Sequence, residues 1–129
     1  MIDPARDIAQ TPAPPYYAVI FTSLRTEGDN GYDEMAMSMY KLALEQPGFL
    51  GMETVRDGLG ISISYWRDEQ SILNWKTHAK HLVAQRLGRD QWYSAFKTRV
   101  CKVERDYGFE REEAENVSVD SFGIAGMQK

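Results

Sequence analysis

The sequence predicts an α+β domain in which two helices cover one face of a four-stranded antiparallel sheet. Three observations support this fold class. Strand-like and helix-like segments follow one another in a recognisable order, the first strand-like segment is apolar on both faces, and a long segment late in the chain has helical periodicity. The chain has 129 residues, which is a usual size for one domain and enough to bury a core without disulfide bonds.

The first strand is predicted at residues 16–24, where aromatic and β-branched residues are concentrated. It follows residues 1–15, which hold four of the five prolines and are expected to form an extended, poorly ordered arm. The apolar residues of the strand are Tyr16, Ala18, Ile20 and Leu24 on one face and Tyr17, Val19 and Phe21 on the other. Because the helices can cover only one of these faces well, we expect a second subunit to cover the other.

A helix and a β-hairpin are predicted next. Apolar residues at helical spacing place the first helix at residues 32–46, with Asn30 or Asp29 as its cap. Strands are predicted at residues 49–56 and 60–66, and the Asp-Gly pair between them is a strong signal for a tight hairpin turn.

The second helix is predicted at residues 68–88. Asp68 is placed to accept a free N–H of the first turn, and Gly88 is placed to end the helix. Beside its apolar stripe runs a polar one, whose members share a face at helical spacing: Asn74, His78, His81 and Gln85. The border between the two stripes is where we expect any catalytic site.

A short helical piece at residues 89–93 and a fourth strand at residues 95–106 complete the predicted elements. The order β-α-β-β-α-β is that of a ferredoxin-like fold. The predicted domain spans residues 16–109, and residues 110–129 are expected to form an acidic, weakly ordered tail.

Composition excludes several classes of function. The net charge of −4 and the pI near 5.2 argue against a surface that binds nucleic acid. No segment approaches the roughly 18 apolar residues of a membrane span, and Asp3 and Asp7 interrupt the place where a signal peptide would be apolar. We therefore expect a cytoplasmic protein. The single cysteine, Cys101, lies in a strand-like run and is expected to be a buried, inert thiol.

Five segments of the chain resemble the antibiotic biosynthesis monooxygenase domain: 49–58, 61–68, 73–81, 92–93 and 103–107. The resemblance covers about residues 16–109, including the order of elements and the loop lengths. It implies a dimeric α/β barrel, joined through the open sheet face, with a small apolar cavity between sheet and helices in each subunit. Some members of that family oxidise polycyclic phenols or quinols with O2 and need neither metal nor flavin.

A related branch of the family binds haem and degrades it. That branch uses a histidine on the second helix as the iron ligand, near a tryptophan, together with an asparagine on the first strand. Trp75 and His78 match the helix pair, whereas the first strand has Thr22 and Ser23 and no asparagine. The resemblance therefore favours a protein without a cofactor, with haem binding as an alternative.

His78 is the candidate catalytic base, because an imidazole with a pKa of about 6.5 can accept a proton near neutral pH. The candidate substrate-binding residues are aromatic walls and hydrogen-bonding groups: Trp75, Trp66, Phe21, Asn74 and Thr22. His78 and His81 are three residues apart, but no third ligand stands at helical spacing, so no metal site is predicted.

The sequence leaves two main functions open. One is a small monooxygenase that acts on a quinol-like or polycyclic phenolic compound. The other is a dimeric module of the same fold that binds a small hydrophobic ligand without catalysis. A His78 side chain that points into an enclosed pocket would favour the enzyme, and one that faces solvent would favour the binding module.

Overall fold

The computed structural model of the chain describes residues 2–85 and 91–111, and it confirms the predicted fold class and element order. Four strands pair in the order β2-β3-β1-β4, and every neighbouring pair is antiparallel. The elements are β1 Tyr16–Arg25, α1 Tyr32–Leu44, β2 Phe49–Asp57, β3 Leu59–Trp66, α2 Glu69–Gln85 and β4 Tyr93–Val103. No helix in residues 2–85 and 91–111 is long and apolar enough to cross a membrane.

The strand register defines two faces of the sheet. Tyr17 pairs with Trp66, so both side chains lie on one face, and Trp66 stacks on Trp75 of α2. We call this face the helix face. Ala18 pairs with Tyr65 on the opposite face, which we call the open face.

The core lies where both helices meet the helix face. Trp66 has no exposed surface, and its indole Nε1–H donates to the Ser64 hydroxyl at 2.8 Å. Its ring stacks on Trp75 at 5.6 Å and meets Phe49 edge-on at 5.3 Å. Two other core residues, Met35 and Ala43, come from α1.

The start of α2 follows the prediction. The Asp68 carboxylate accepts the Ser71 N–H at 2.8 Å and the Ser71 hydroxyl at 2.7 Å, which makes Asp68 the cap. These hydrogen bonds from Ser71 lower the pKa of the Asp68 carboxyl. Gly48 packs against the same serine: it has φ +85°, and a side chain there would collide with Ser71. The predicted stop at Gly88 lies outside the described residues.

Helix α1 ends two residues before the predicted end. Its final turn tightens, because the N–H groups of Glu45 and Gln46 bond to carbonyls three residues back. The predicted cap, Asn30 or Asp29, is wrong, since the N-cap of α1 is Gly31 with φ +80°. The Asp29 carboxylate still accepts the N–H groups of Gly31 and Asp33 at 3.0 and 3.2 Å just before and inside the first turn.

The arm lies against the open face and the β2 edge. The Thr54 N–H donates to the Pro4 carbonyl at 2.7 Å, and the Ala9 N–H donates to the Glu53 carboxylate at 3.0 Å. This cover helps to bury Tyr16, whose hydroxyl donates to the Asp106 carboxylate. The chain thus covers part of the open face itself, where the sequence suggested only a second subunit.

The rest of the open face stays uncovered in the single chain. Val55 is 62% exposed and Leu59 is 49% exposed, although both are apolar residues of strands. The expectation for Cys101 is wrong for the single chain, since the thiol is exposed. The reason is that β4 is an edge strand, and Cys101 pairs with Ala18, which places it on the open face.

The prediction for the fourth strand needs one correction. The strand begins at Tyr93, inside the predicted helical piece, because a register shift at Leu24 and Arg25 lets Tyr93 pair with the end of β1. It ends at Val103, and residues 104–111 have no regular secondary structure. Most of the predicted tail lies outside the described residues.

Candidate active site

The two ends of the helix face differ in composition. The tryptophan end consists of Phe49, Trp66 and Trp75, where β3 ends and α2 has begun. The structure brings together here two of the predicted substrate-binding residues, Trp66 and Trp75, with ring centroids 5.6 Å apart. Ring stacking and the bond to Ser64 leave Trp66 without a free polar atom, so this end is a packed wall.

The predicted base lies on the outer side of α2. His78 is exposed and lines an open groove of about 470 Å³ together with Thr77, Lys80 and His81. Asn74 is also exposed, and its side-chain oxygen accepts a hydrogen bond from Gln70 at 3.0 Å. Within the single chain, His78 faces solvent at the rim of a groove. Its role as a base therefore stays a prediction.

Phe21 and Thr22 lie on opposite faces of the sheet. Phe21 shares the helix face with Trp66, whereas Thr22 pairs with Ile61 on the open face. The structure therefore does not bring Thr22 to the other predicted site residues. Phe21 belongs to a different group of rings, with Tyr93 and Phe96 at 5.3 Å each.

These rings lead to the second end of the helix face, which we call the arginine end. Here β1 and β2 finish, β3 and β4 begin, and α1 starts above them. The Arg25 guanidinium carbon lies 3.5 Å from the centroid of the Tyr32 ring, and that of Arg56 lies 5.9 Å from the same centroid. The Tyr93 ring meets Tyr32 edge-on at 5.7 Å.

Both arginines at this end donate to neutral oxygen atoms. Arg25 donates to the carbonyls of Trp92, Gly28 and Asp29 at 3.0, 3.1 and 3.3 Å. Arg56 donates to the Ser23 hydroxyl at 2.6 Å and, at longer range, to the carbonyls of Ser23 and Gly58. The acceptors fix both guanidinium groups without neutralising them.

Tyr93 is held in its protonated form. Burial, and after it a hydrogen bond to the Tyr32 hydroxyl, raise the pKa of the Tyr93 phenol well above its usual value, although the two arginines act in the opposite direction. The arginine end therefore presents two cations beside the neutral phenol of Tyr93.

Sequence reasoning missed this cluster. Arg25 ends a strand, Arg56 precedes the hairpin turn, and Tyr93 fell in a predicted helical piece. Only the strand register brings them together. Within residues 2–85 and 91–111, no three His, Cys, Asp or Glu side chains stand close enough to hold a metal ion.

Comparison with known proteins places this geometry in a family. No family model matches the chain. The chain is 49% identical over 105 residues to the uncharacterized protein YqjZ of Bacillus subtilis, with 80% of this chain and 92% of that protein aligned. It is 36% identical over 87 residues to the jasmonate monooxygenase ABM of Pyricularia oryzae. That match covers 67% of this chain but only 35% of the fungal protein.

Solved structures share the fold at low sequence identity. SnoaB, a cofactor-independent oxygenase from Streptomyces nogalater, has a TM-score of 0.60 at 10% identity, with 72% of this chain and 97% of that chain aligned. A protein described as an antibiotic biosynthesis monooxygenase has a TM-score of 0.54 at 13% identity, with 70% and 99% aligned. By sequence the chain belongs to the same family as YqjZ, and its fold is that of the antibiotic biosynthesis monooxygenases.

Proposed function

We propose that this protein is a monooxygenase that oxidises a small phenolic or quinol-like compound with O2 and without a metal or flavin. The observation that carries the proposal is the aromatic lining of the helix face. Trp75 at one end and Phe21 and Phe96 at the other offer flat apolar surfaces to a ring-shaped substrate. Relatives named as a monooxygenase and as a cofactor-independent oxygenase support this assignment.

The chemistry requires a substrate that supplies all the electrons. A phenol with a free carbon opposite its hydroxyl can react with O2 to give a quinone and water. One oxygen atom forms the new carbonyl and the other leaves as water, so no external reductant is needed. Removal of the phenolic proton starts the reaction, since the phenolate transfers an electron to O2 more readily than the phenol.

His78 is the proposed base. It follows Trp75 by three residues on α2, so a ring bound beside the indole would bring its hydroxyl toward the imidazole. Its exposure allows the accepted proton to pass to water. Asn74 is proposed to orient a substrate oxygen from the same helix.

Oxygen uptake with 1-naphthol and ¹⁸O2 tests this function. We expect one labelled oxygen atom in the quinone and one in water, with chelators having no effect. Replacing the base, His78→Ala, should lower kcat by about 100-fold, whereas the matched variant His81→Ala should retain most activity. Uptake that is unchanged by His78→Ala would overturn the assignment of the base.

A binding module without catalysis is the second candidate, and the exposure of His78 is the observation that favours it. Saturable binding of 1-naphthol without oxygen consumption would support it. A Soret shift on titration with haem that is lost in His78→Ala would favour the haem-binding alternative instead.

A second copy of the chain is proposed to cover the open face. Val55 and Leu59 supply exposed apolar surface there beyond the reach of the arm. Analytical ultracentrifugation should find a dimer, and Val55→Glu should dissociate it. Met37→Glu, at a similarly exposed apolar residue of α1, should leave the dimer intact. A dimer that survives Val55→Glu would argue against this face.

A further inference from the structure

The arginine end holds two cations that converge on one ring. Both guanidinium groups lie over Tyr32, at 3.5 Å for Arg25 and 5.9 Å for Arg56. Arg25 comes from the end of β1, Arg56 from the end of β2 and Tyr32 from the start of α1, so three separate elements place these groups together. Two like charges held against the same ring repel each other, and a bound anion would offset that repulsion.

No such anion comes from the described part of the chain. Neither guanidinium has a described carboxylate within 4 Å, and their described acceptors are carbonyl and hydroxyl oxygens. Asp29 is near in sequence, but its carboxylate is occupied by the N–H groups of Gly31 and Asp33 at the start of α1. Within residues 2–85 and 91–111, the cluster thus has no negative group to match its two cations.

The sheet fixes the position of the Arg56 side chain. Its guanidinium lies directly over Gly60, and a side chain at that position would collide with it. It is also tied to the Ser23 hydroxyl, on a side chain that is only 2% exposed. The guanidinium is therefore held in place before any ligand arrives, which reduces the entropy lost on binding.

An apolar floor continues from the two cations. Phe21 and Phe96 lie 5.3 Å apart, and Tyr93 contacts both rings while also reaching Tyr32. Phe96 is 42% exposed, so this floor is accessible. A cationic end beside an open aromatic surface matches a ligand that has an anionic group beside an aromatic ring.

We infer that Arg25 and Arg56 form a carboxylate-binding subsite, and that the protein's ligands are ring compounds carrying a carboxylate. The carboxylate would take N–H donors from both guanidinium groups, and the ring would lie on Phe21 and Phe96. The claim that these compounds are substrates rests on the proposed function. The claim that the two arginines bind a carboxylate does not depend on it.

Calorimetry on the full chain under nitrogen tests the subsite with two probes that differ chiefly in charge, 5-hydroxy-2-naphthoate and 5-hydroxy-2-naphthamide, both of which have a free carbon opposite the hydroxyl. The acid should bind about 10-fold more tightly than the amide. Arg56→Gln and Arg25→Gln should each remove most of that preference, and added salt should weaken only binding of the acid. Equal affinity for the two probes would overturn the inference.

Two further variants separate the subsite from general charge and from misfolding. Gly60→Ala keeps both arginines but displaces the Arg56 guanidinium, so it should reduce the preference for the acid. Arg67→Gln changes the net charge equally at an exposed site and should leave the preference unchanged. A loss of preference as large in Arg67→Gln as in Arg56→Gln would contradict a local site.

Oxygen uptake with the same two probes keeps this inference distinct from the proposed function. Preference for the acid in binding, without oxygen uptake, would uphold the subsite and overturn the monooxygenase. Uptake with both probes and no difference in affinity would overturn the subsite and uphold the monooxygenase.

Discussion

The two ends of the helix face are both aromatic, yet they differ in how their polar groups are satisfied. At the tryptophan end, the polar atom of the fully buried Trp66 has its partner in Ser64, and the rings pack on one another. At the arginine end, Arg25 and Arg56 have neutral acceptors only among the described residues. A complete set of partners is typical of a core, whereas an incomplete one leaves capacity for a ligand.

This difference separates stability from function within one face of the sheet. The tryptophan end should dominate the free energy of unfolding, because burial of large rings is worth more than any contact of partly exposed arginines. The arginine end should dominate ligand selectivity. Variants at the two ends should therefore move different observables.

The largest effect on stability is expected from Trp66→Ala. Removing a fully buried ring that contacts Phe49 and Trp75 leaves a cavity and should cost about 3–5 kcal/mol of unfolding free energy. Urea unfolding followed by circular dichroism measures it. A cost below about 1 kcal/mol would mean that this end is not a packed core.

Ser64→Ala is expected to have the next largest effect. The indole N–H of Trp66 would lose its partner in a buried position, which should cost about 1–3 kcal/mol. The double variant with Trp66→Phe, which has no N–H, provides the control. Replacing Ser64 should cost clearly less in that background, and an equal cost in both backgrounds would show that the hydroxyl acts in another way.

Tyr93 should make the arginine end sensitive to alkaline pH. Burial and the hydrogen bond to Tyr32 raise its pKa above the unfolded value of about 10, so the folded state favours the neutral phenol. Its stabilisation is complete below pH 10 and declines as the pH rises further. Tyr93→Phe should therefore flatten the fall in stability above pH 10, measured by thermal unfolding. An unchanged fall would exclude Tyr93 as a source.

Most of the fold could be predicted because its signals are local. The periodicity of residues 68–88 predicted α2, and the Asp-Gly pair predicted the hairpin between β2 and β3. The arm was harder to predict. The arm attaches to Thr54 and Glu53 through its own backbone groups, the Pro4 carbonyl and the Ala9 N–H, which leave no pattern in the side chains of the arm.

The candidate site was predictable only in part, because local sequence signals do not show which distant residues the strand pairing brings together. Trp66 and Trp75 are nine residues apart, on a strand and the helix that follows it, so their contact could be anticipated. Arg25, Arg56 and Tyr93 meet only through the exact pairing of four strands and a register shift. A one-residue change of register would move any of them to the other face. Thr22 shows this, since it lies on the open face next to Phe21 on the helix face.

The smallest effect on stability is expected from Arg56→Gln. A small cost would support the view that the arginine end serves ligand binding and not stability. Arg56 is exposed, so its removal should cost mainly its hydrogen bond to the buried Ser23 hydroxyl, about 1 kcal/mol of unfolding free energy. Added 5-hydroxy-2-naphthoate should raise the melting temperature of the unmodified protein more than that of Arg56→Gln, because a ligand stabilises only the state that binds it. A loss above about 2 kcal/mol would instead make Arg56 part of the core, and the two ends of the helix face would then have the same role.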